Sequence, residues 1–385
     1  KSHFLNQYHS LLFLEKSQWG YSLLKRFKGV PAIVCGAGPS LDKNFDLLKN
    51  LESRALILAG GSAIPALSSR GLMPHIGATV DPNPLQYDRL TAHSAYELPM
   101  FYKSRVNYRA FRSIHGPRIY LPGSGTYPVT NLIDQKMGIH AQNMREGHNV
   151  LHILIDLAAM LQCDPIIFVG MDLGYSGMKF YANGVVEDNE ASKEKITKRT
   201  HLNDNCFLRK DIYGDPMYTL WKWVAESKFS ARYPNTYPDA TFINATEGGL
   251  GMGEDIPNID LKDVAEKHLV QQYDIRNWLH SEIQEHASFP EGSNTSKEKV
   301  LEILKELKES LEEFIETAKM LKTHFVAFKE AAENDDQRKL NSITFLLEKY
   351  QEYIQKNTAY QHIIQPLTSI QSILSHRDFD QIELD

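Results

Sequence analysis

Short apolar runs, separated by segments of helical periodicity, fill most of the first 170 residues. Six such runs lie at residues 32–35, 55–59, 76–80, 100–102, 118–121 and 166–169. They are apolar throughout rather than alternating, which is typical of strands in a parallel sheet that is covered by helices on both faces. The pattern therefore predicts an α/β fold with a doubly wound, mostly parallel sheet.

Helical spacing and polar segments complete this first region. Residues 4–27 predict a helical lead-in, and the clearest crossover helix runs from Asn149 to Gln162. A further helix is expected around Tyr218 to Ser230, followed by a short strand at residues 241–243. The polar residues 186–204 lack periodicity and predict a surface insertion or a lid.

The composition shifts to Glu, Lys, Leu and Gln from about Lys262 onward. Apolar residues at spacings of three and four predict a long helix from Lys297 to Ala332, and a second helix is expected from Leu340 to Tyr360. We expect an antiparallel hairpin packed on the main domain or, in a homo-oligomer, on another subunit. The predicted domains are a lead-in (1–28), a nucleotide-binding domain (29–262) and a helical domain (263–385).

Charge and composition limit the classes of partner. The 385 residues include 42 Lys and Arg against 48 Asp and Glu, a formal net charge of −6, so we expect no nucleic-acid partner but allow a locally bound anion. The three cysteines form no CxxC pair, and the apolar runs are far shorter than the roughly 20 residues of a membrane span. We therefore expect a cytoplasmic protein without a membrane span.

The strongest local motif is the strand end and turn at residues 33–42, which reads IVCGAGPSLD. Gly36 and Gly38 permit a tight turn, and Ser40 supplies a hydroxyl where a helix N-terminus can face a phosphate. Leu41 replaces the third glycine of the dinucleotide fingerprint, no acid follows about twenty residues on, and no Walker lysine occurs, so NAD is disfavoured. A tight turn without a ligand is the alternative.

Other polar residues follow later predicted strands, at the edge where open α/β sheets bind ligands. Asp81 and Asn83 follow one strand and Asp172 follows another, although each could instead cap a helix or form a turn. The same choice between capping and ligand binding applies to His148 and Asn149, which precede the crossover helix. The loop at residues 244–250 is polar and rich in glycine, so it could wrap a ligand or simply turn.

Taken in order, five motifs resemble the motility accessory factor (Maf) family. They are Gly36-Ala37-Gly38-Pro39-Ser40-Leu41, Gly71-Leu72-Met73-Pro74-His75 with Thr79-Val80-Asp81, Gly147-His148-Asn149-Val150, Phe168-Val169-Gly170-Met171-Asp172-Leu173, and Ile243-Asn244-Ala245-Thr246-Glu247-Gly248-Gly249. The match spans roughly residues 29–262. The first motif alone is shared with archaeal 6-hydroxymethylpterin pyrophosphokinases (MptE-like proteins) and bacterial sialyltransferases.

The resemblance implies a Rossmann-like, sialyltransferase-like core. It also implies a bacterial glycosyltransferase that moves a nonulosonic acid, pseudaminic or legionaminic, from a CMP-activated donor to a protein Ser or Thr hydroxyl, as in flagellin glycosylation. No cofactor or metal is required for that reaction. The residues that the resemblance assigns to donor binding are Gly36, Gly38, Ser40, Asp81, Asn83, His148, Asn149, Thr246 and Gly248. Asp172 or Glu247 would be the catalytic base.

Two other hypotheses stay open. The first is an MptE-like 6-hydroxymethylpterin diphosphokinase that uses ATP and Mg²⁺, which would need acidic metal ligands where this chain has only Asp81. The second is a non-catalytic nucleotide-binding or scaffolding protein. The chain opens on Lys1, and the large N-terminal region typical of Maf proteins is absent from it or reduced to residues 1–28, so an acceptor other than flagellin is also considered.

Overall fold

The structure is a computed structural model that describes residues 2–92, 94–123, 128–140, 144, 147–186 and 206–368. Its contacts divide the chain into two compact units. The first unit comprises Lys1–Leu121 and Ala141–Glu291, and the second comprises Pro122–His140 and Gly292–Asp385. The domain limits that the sequence suggested stay predictions.

An eight-stranded parallel sheet forms the centre of the first unit. Its strands are β1 (Gln18–Trp19), β2 (Ala32–Cys35), β3 (Leu56–Gly60), β4 (Ile76–Thr79), β5 (Met100–Tyr102), β6 (Arg118–Tyr120), β7 (Ile166–Val169) and β10 (Phe242–Asn244). They lie in the order β1-β6-β5-β4-β3-β2-β7-β10, and every neighbouring pair is parallel. The predicted α/β class with a doubly wound parallel sheet is confirmed.

Helices flank this sheet along the chain. In the described part of the first unit they are α1 (Ser2–Leu11), α2 (Leu41–Lys49), α3 (Ala63–Ser68), α4 (Leu85–Thr91), α5 (Tyr108–Ser113), α7 (Val150–Met160), α8 (Trp221–Ser230), α9 (Tyr233–Thr236), α10 (Leu261–His268) and α11 (Ile275–His286). Strands β2, β3, β4 and β7 are buried at every position, and the apolar face of α7 packs into the same core as Val34, Leu58 and Phe168. Continuous apolar strands therefore form because both faces of the sheet are covered.

The direction of winding reverses between β2 and β7. Strands β3 to β6 extend the sheet on one side of β2, whereas β7 and β10 extend it on the other. The chain therefore proceeds in opposite directions across the sheet after β2 and after β7, and open α/β sheets bind ligands at the carboxyl ends of the strands beside such a reversal.

Two predictions about local structure were wrong. The lead-in is not helical throughout, because α1 ends at Leu11 and Gln18–Trp19 pairs with β6 as an edge strand, where Trp19 is buried next to Tyr120. The helix expected from Tyr218 begins at Trp221, because Tyr218 lies in strand β9 (Pro216–Leu220), which pairs antiparallel with β8 (Cys206–Lys210). Most of the predicted insertion, residues 187–204, lies outside the described residues.

The second unit is helical. It contains α6 (Pro128–Lys136), α12 (Lys297–Glu333), α13 (Gln337–Lys356) and a π-helical turn at Tyr360–Ile364. Asn357 Nδ2 donates to Ser310 O at 2.8 Å, and the ring of His324 stacks on Tyr350 nearer the turn between α12 and α13. Residue numbers therefore rise along α12 while those of the facing residues on α13 fall, so the two helices form the predicted antiparallel hairpin.

Candidate functional site

A cleft of about 650 Å³ opens at the carboxyl edge of the sheet in the first unit. It lies where the winding reverses, and its wall includes the loops that follow β2, β3, β4 and β7 and the N-terminus of α7. The residues predicted from the sequence that line it are Gly38, Asp81, His148, Asn149 and Asp172. Gly36, Ser40, Asn83, Thr246, Glu247 and Gly248 do not line it.

The two glycines after β2 allow close packing against the loop after β7. A Cβ atom on Gly36 would lie 2.3 Å from Gly170 O, and one on Gly38 would lie 2.0 Å from Asp172 Oδ2. Gly36 N and Gly38 N donate to Val169 O and Gly170 O, each at 2.8 Å. The end of β7 and the residue after it thus already supply partners for these two N–H groups. Phosphate binding by this turn stays a prediction.

Asp172 joins the loops after β7 and β2. Its side chain is 1% exposed, and it accepts hydrogen bonds from Ser40 Oγ (2.6 Å) and Ser40 N (3.2 Å). The carboxylate thereby satisfies an N–H group at the start of α2, where a negative charge also meets the positive end of the helix dipole. Burial raises the pKa of Asp172 to about 6, although the hydrogen bonds from Ser40 oppose this shift.

Asp81 and Asn83 fold the loop that follows β4. Asp81 Oδ1 accepts from Asn83 N at 2.9 Å, and Asn83 Oδ1 accepts from Leu85 N at 3.0 Å, so each makes a local Asx turn before α4. Both side chains are exposed, and Asp81 also lines the cleft. Turn formation, the alternative considered from the sequence, accounts for Asn83, whereas Asp81 remains available to a ligand.

Asn149 is the cap of α7. Its Oδ1 accepts from the N–H groups of Leu151 (2.9 Å) and His152 (3.1 Å), and its Nδ2 donates to Glu226 Oε2 at 2.8 Å. Beside it, the exposed His148 lines the cleft and its backbone N–H donates to Nδ1 of His152. Burial, with a smaller effect of the neighbouring His148, lowers the pKa of His152 to about 4, so this ring is neutral at pH 7.

The loop after β10 packs against the loops after β2 and β7 without lining the cleft. Thr246 is fully buried and its Oγ1 accepts from Met171 N at 3.2 Å, while Gly248 packs beside Ser40 and Asp172. Glu247 has a φ of 57°, and its Oε1 accepts from Leu261 N at 2.9 Å, the first residue of α10. The Glu247 carboxylate is thus engaged with a helix N-terminus and lies outside the cleft lining.

Several cleft residues were missed by the sequence reasoning. Helix α4 contributes Gln86 and Arg89, the loop after β5 contributes Arg105, and α8 contributes Lys222, Trp223 and Glu226. Charged residues on short helices usually lie on a solvated face, and no local motif marks these as site residues. Only the position of their elements next to the carboxyl edge of the sheet could have indicated them.

Two features are absent from the described residues. Among the described residues, no three or more His, Cys, Asp or Glu side chains are grouped so that they could hold a metal ion. Within the same part of the chain, no helix has the length and apolar character needed to cross a membrane.

The first part of the chain is similar to a known protein family. The family model for 6-hydroxymethylpterin diphosphokinase MptE-like proteins matches residues 5–178, slightly less than half of the chain. The matched segment runs from α1 through the loop that carries Asp172. Curated protein sequences give no match.

A solved structure has a similar fold over most of the chain. The Maf glycosyltransferase from Magnetospirillum magneticum AMB-1 aligns with a TM-score of 0.59 and 16% sequence identity, over 93% of this chain and 52% of that one. This chain therefore spans about half the length of that glycosyltransferase. The partial family match and the similar fold support the predicted relationship to Maf and MptE-like proteins.

Proposed function

We propose that this protein is a glycosyltransferase that moves a nonulosonic acid from a CMP-activated donor to a Ser or Thr hydroxyl of a protein acceptor. The observation that carries the proposal is the cleft at the winding reversal, which has cations on two of its walls. Arg89 and Arg105 lie on the side of β4 and β5, and Lys222 lies on α8 beside Trp223. A CMP-activated nonulosonic acid carries two anionic groups and a flat base, which such a cleft suits.

The fold adds support of a different kind. The likeness to a Maf glycosyltransferase is a similarity of fold over most of this chain. It does not compare the residues that line the cleft. Flagellin as acceptor, pseudaminic or legionaminic acid as the transferred sugar, a cytoplasmic location and a homo-oligomer formed through α12 and α13 all belong to this proposal as predictions.

The proposed reaction requires modest chemistry from the protein. The acceptor hydroxyl gives its proton to a general base, and its oxygen forms a bond to the anomeric carbon of the sugar. The bond from that carbon to the phosphate oxygen breaks, and its electron pair leaves with CMP. Fixed positive groups that face the departing phosphate stabilise the charge that develops on it.

Asp172 is the better of the two candidate bases. Asp172 is a lining residue of the cleft, and its pKa is raised to about 6, close to the range in which a general base works best at neutral pH. Glu247 instead accepts the first N–H of α10. We therefore assign proton removal to Asp172 and a structural role to Glu247.

The test is release of CMP from CMP-pseudaminic or CMP-legionaminic acid in the presence of a Ser- or Thr-containing acceptor protein. We expect Asp172→Asn to reduce kcat at least about 100-fold, the range typical of a lost general base, while the variant remains folded. Asp239→Asn, which removes an exposed carboxylate outside the cleft lining, serves as the matched control. Full turnover by Asp172→Asn, or a larger loss in Glu247→Gln, would contradict this assignment.

The family match to MptE-like proteins favours a second candidate, transfer of diphosphate from ATP to 6-hydroxymethylpterin with Mg²⁺. A Mg²⁺ ion commonly uses one or two carboxylates together with substrate phosphates, and Asp81 is the exposed carboxylate of the cleft. Thermal shift with CMP and with ATP, each with and without Mg²⁺, separates the candidates. Stabilisation by ATP only with Mg²⁺, and none by CMP, would favour the kinase. No response to either nucleotide would favour a non-catalytic scaffold.

A further inference from the structure

One wall of the cleft carries a polar residue that is almost entirely buried. Gln86, in the first turn of α4, is 5% exposed and lines the cleft. Its side-chain amide makes no hydrogen bond to any residue in the described part of the chain. A polar side chain in a largely buried residue ordinarily has a partner, so Gln86 marks a place in the cleft lining where a ligand can supply one.

Two arginines share this wall with Gln86. Arg89 follows Gln86 by three residues, which puts both on one face of α4. Arg105 comes from the loop after β5, and its Nε donates to Val80 O at 3.1 Å, a bond that fixes the side chain across the ends of β4 and β5. Both arginines line the cleft. Arginine guanidinium groups match the planar geometry of a carboxylate.

The other cation of the cleft lies at its opposite end. Lys222 and Trp223 are on α8, and the Trp223 ring packs edge-on against Tyr175, which follows β7, at 4.8 Å. Strands β4 and β7 are three positions apart in the sheet, which corresponds to roughly 14 Å. The aromatic ring and the lysine suit a nucleobase and its phosphate at the β7 end, which leaves the arginines at the β4 and β5 end for a second anion.

We propose that Gln86, Arg89 and Arg105 form a carboxylate-binding subsite that recognises the acid group of the transferred sugar. The inference rests on the proposed function and extends it by naming the residues that select an acidic sugar. A sugar nucleotide without a carboxylate would leave two arginines facing an empty part of the cleft, which makes this wall a determinant of specificity.

The test compares three ligands by calorimetric titration: CMP, CMP-N-acetylneuraminic acid and its methyl ester, in which an uncharged ester replaces the carboxylate. We expect the wild type to prefer the acid over its ester by at least about 10-fold, the range of a charge-assisted hydrogen bond. Arg89→Gln and Arg105→Gln should each abolish most of this preference and change the affinity for CMP less than about 2-fold. Arg105→Lys, which keeps the charge, should retain part of the preference.

Arg109→Gln is the matched control. Arg109 is exposed, lies over the Tyr87 ring at 4.2 Å and is outside the cleft lining, so its loss changes the net charge equally without touching the subsite. Unchanged preference for the acid in both arginine variants would overturn the subsite, as would an equal loss of CMP affinity, which would place the phosphate there. A wild type that binds neither CMP nor the sugar nucleotide would overturn the proposed function and the subsite with it.

Discussion

Asp172 shows how one buried carboxylate can serve both the fold and the chemistry. It holds the loop after β7 against Ser40 and the start of α2, and it also lines the cleft. Its contacts are local to the two loops, yet Asp172 and Ser40 are separated by 132 positions in sequence. The sequence marks both as polar residues at strand ends, but only the order of β2 and β7 in the sheet brings them together.

The raised pKa of Asp172 predicts a pH-dependent stability. Its pKa of about 6 in the folded protein exceeds the ordinary aspartate pKa of 3.8, so the folded protein binds the proton more tightly and this contribution to stability falls as pH rises from about 4 to about 6. Asp172→Asn removes this titration. We therefore expect the free energy of unfolding of the wild type, relative to Asp172→Asn, to fall by up to about 3 kcal/mol between pH 4 and pH 7.

Urea denaturation of both proteins at a series of pH values measures this difference. Every other titrating group is common to the two chains and cancels in the comparison. A difference that is constant with pH, or one that grows in favour of the wild type as pH rises, would contradict a raised pKa.

Glycine at position 38 is required by the distance between the two loops. A Cβ atom there would lie 2.0 Å from Asp172 Oδ2, whereas one on Gly248 would meet Ser40 Cβ and Asp172 Oδ1 at an ordinary 3.6 Å. We expect Gly38→Ala to lower the free energy of unfolding by about 1–3 kcal/mol, as overpacking does, and Gly248→Ala to change it by less than about 1 kcal/mol. Equal effects of the two substitutions in urea denaturation would show that loop contact does not set the requirement.

At the scale of elements, the cap of α7 links helix stability to the cleft. Asn149 uses Oδ1 to cap the helix and Nδ2 to hold Glu226. Serine can replace the cap but is too short to reproduce the bond to Glu226, whereas alanine can do neither.

We expect Asn149→Ala to be less stable than Asn149→Ser by about 1 kcal/mol, the usual contribution of a helix cap. The step from wild type to Asn149→Ser then reports the bond to Glu226. Chemical denaturation of the three proteins gives both quantities, and an Asn149→Ser variant no more stable than Asn149→Ala would show that Asn149 does not act as a cap.

Elements with a sustained pattern were predictable from the sequence. Continuous apolar runs indicate β2 to β7, and regular helical spacing indicates α7, α12 and α13, because burial repeats along each of them. Strand β1 has only two residues and depends on pairing with β6, while β8 and β9 depend on each other. Such strands are set by distant partners, so no local period marks them.

The candidate site was predictable to a similar degree. Residues that directly follow strands of the sheet, such as Asp81 and Asp172, could be inferred to meet at its carboxyl edge. The capping role of Glu247 could not, because its partner Leu261 is the start of a helix 14 residues away. The arginines of α4 and the β5 loop resemble ordinary surface charge until the sheet order places them beside the cleft.

The whole molecule consists of two compact units, each with its own buried residues, and the cleft lies in the first unit. Proteins with more than one unit commonly unfold in more than one step. We therefore expect scanning calorimetry to resolve two transitions. A ligand that binds only the folded first unit stabilises that unit by an amount that grows with the logarithm of its concentration.

Adding CMP-N-acetylneuraminic acid should therefore raise the midpoint of one transition and leave the other unchanged. At a free ligand concentration 100 times the dissociation constant, the stabilisation of the first unit should be about 2.7 kcal/mol. Arg89→Gln should reduce this shift at the same ligand concentration, whereas Arg109→Gln should not. Of these two arginines, Arg89 lines the cleft and Arg109 does not. A single transition whose calorimetric and van't Hoff enthalpies agree would contradict separate unfolding, because it would show that both units lose their structure together.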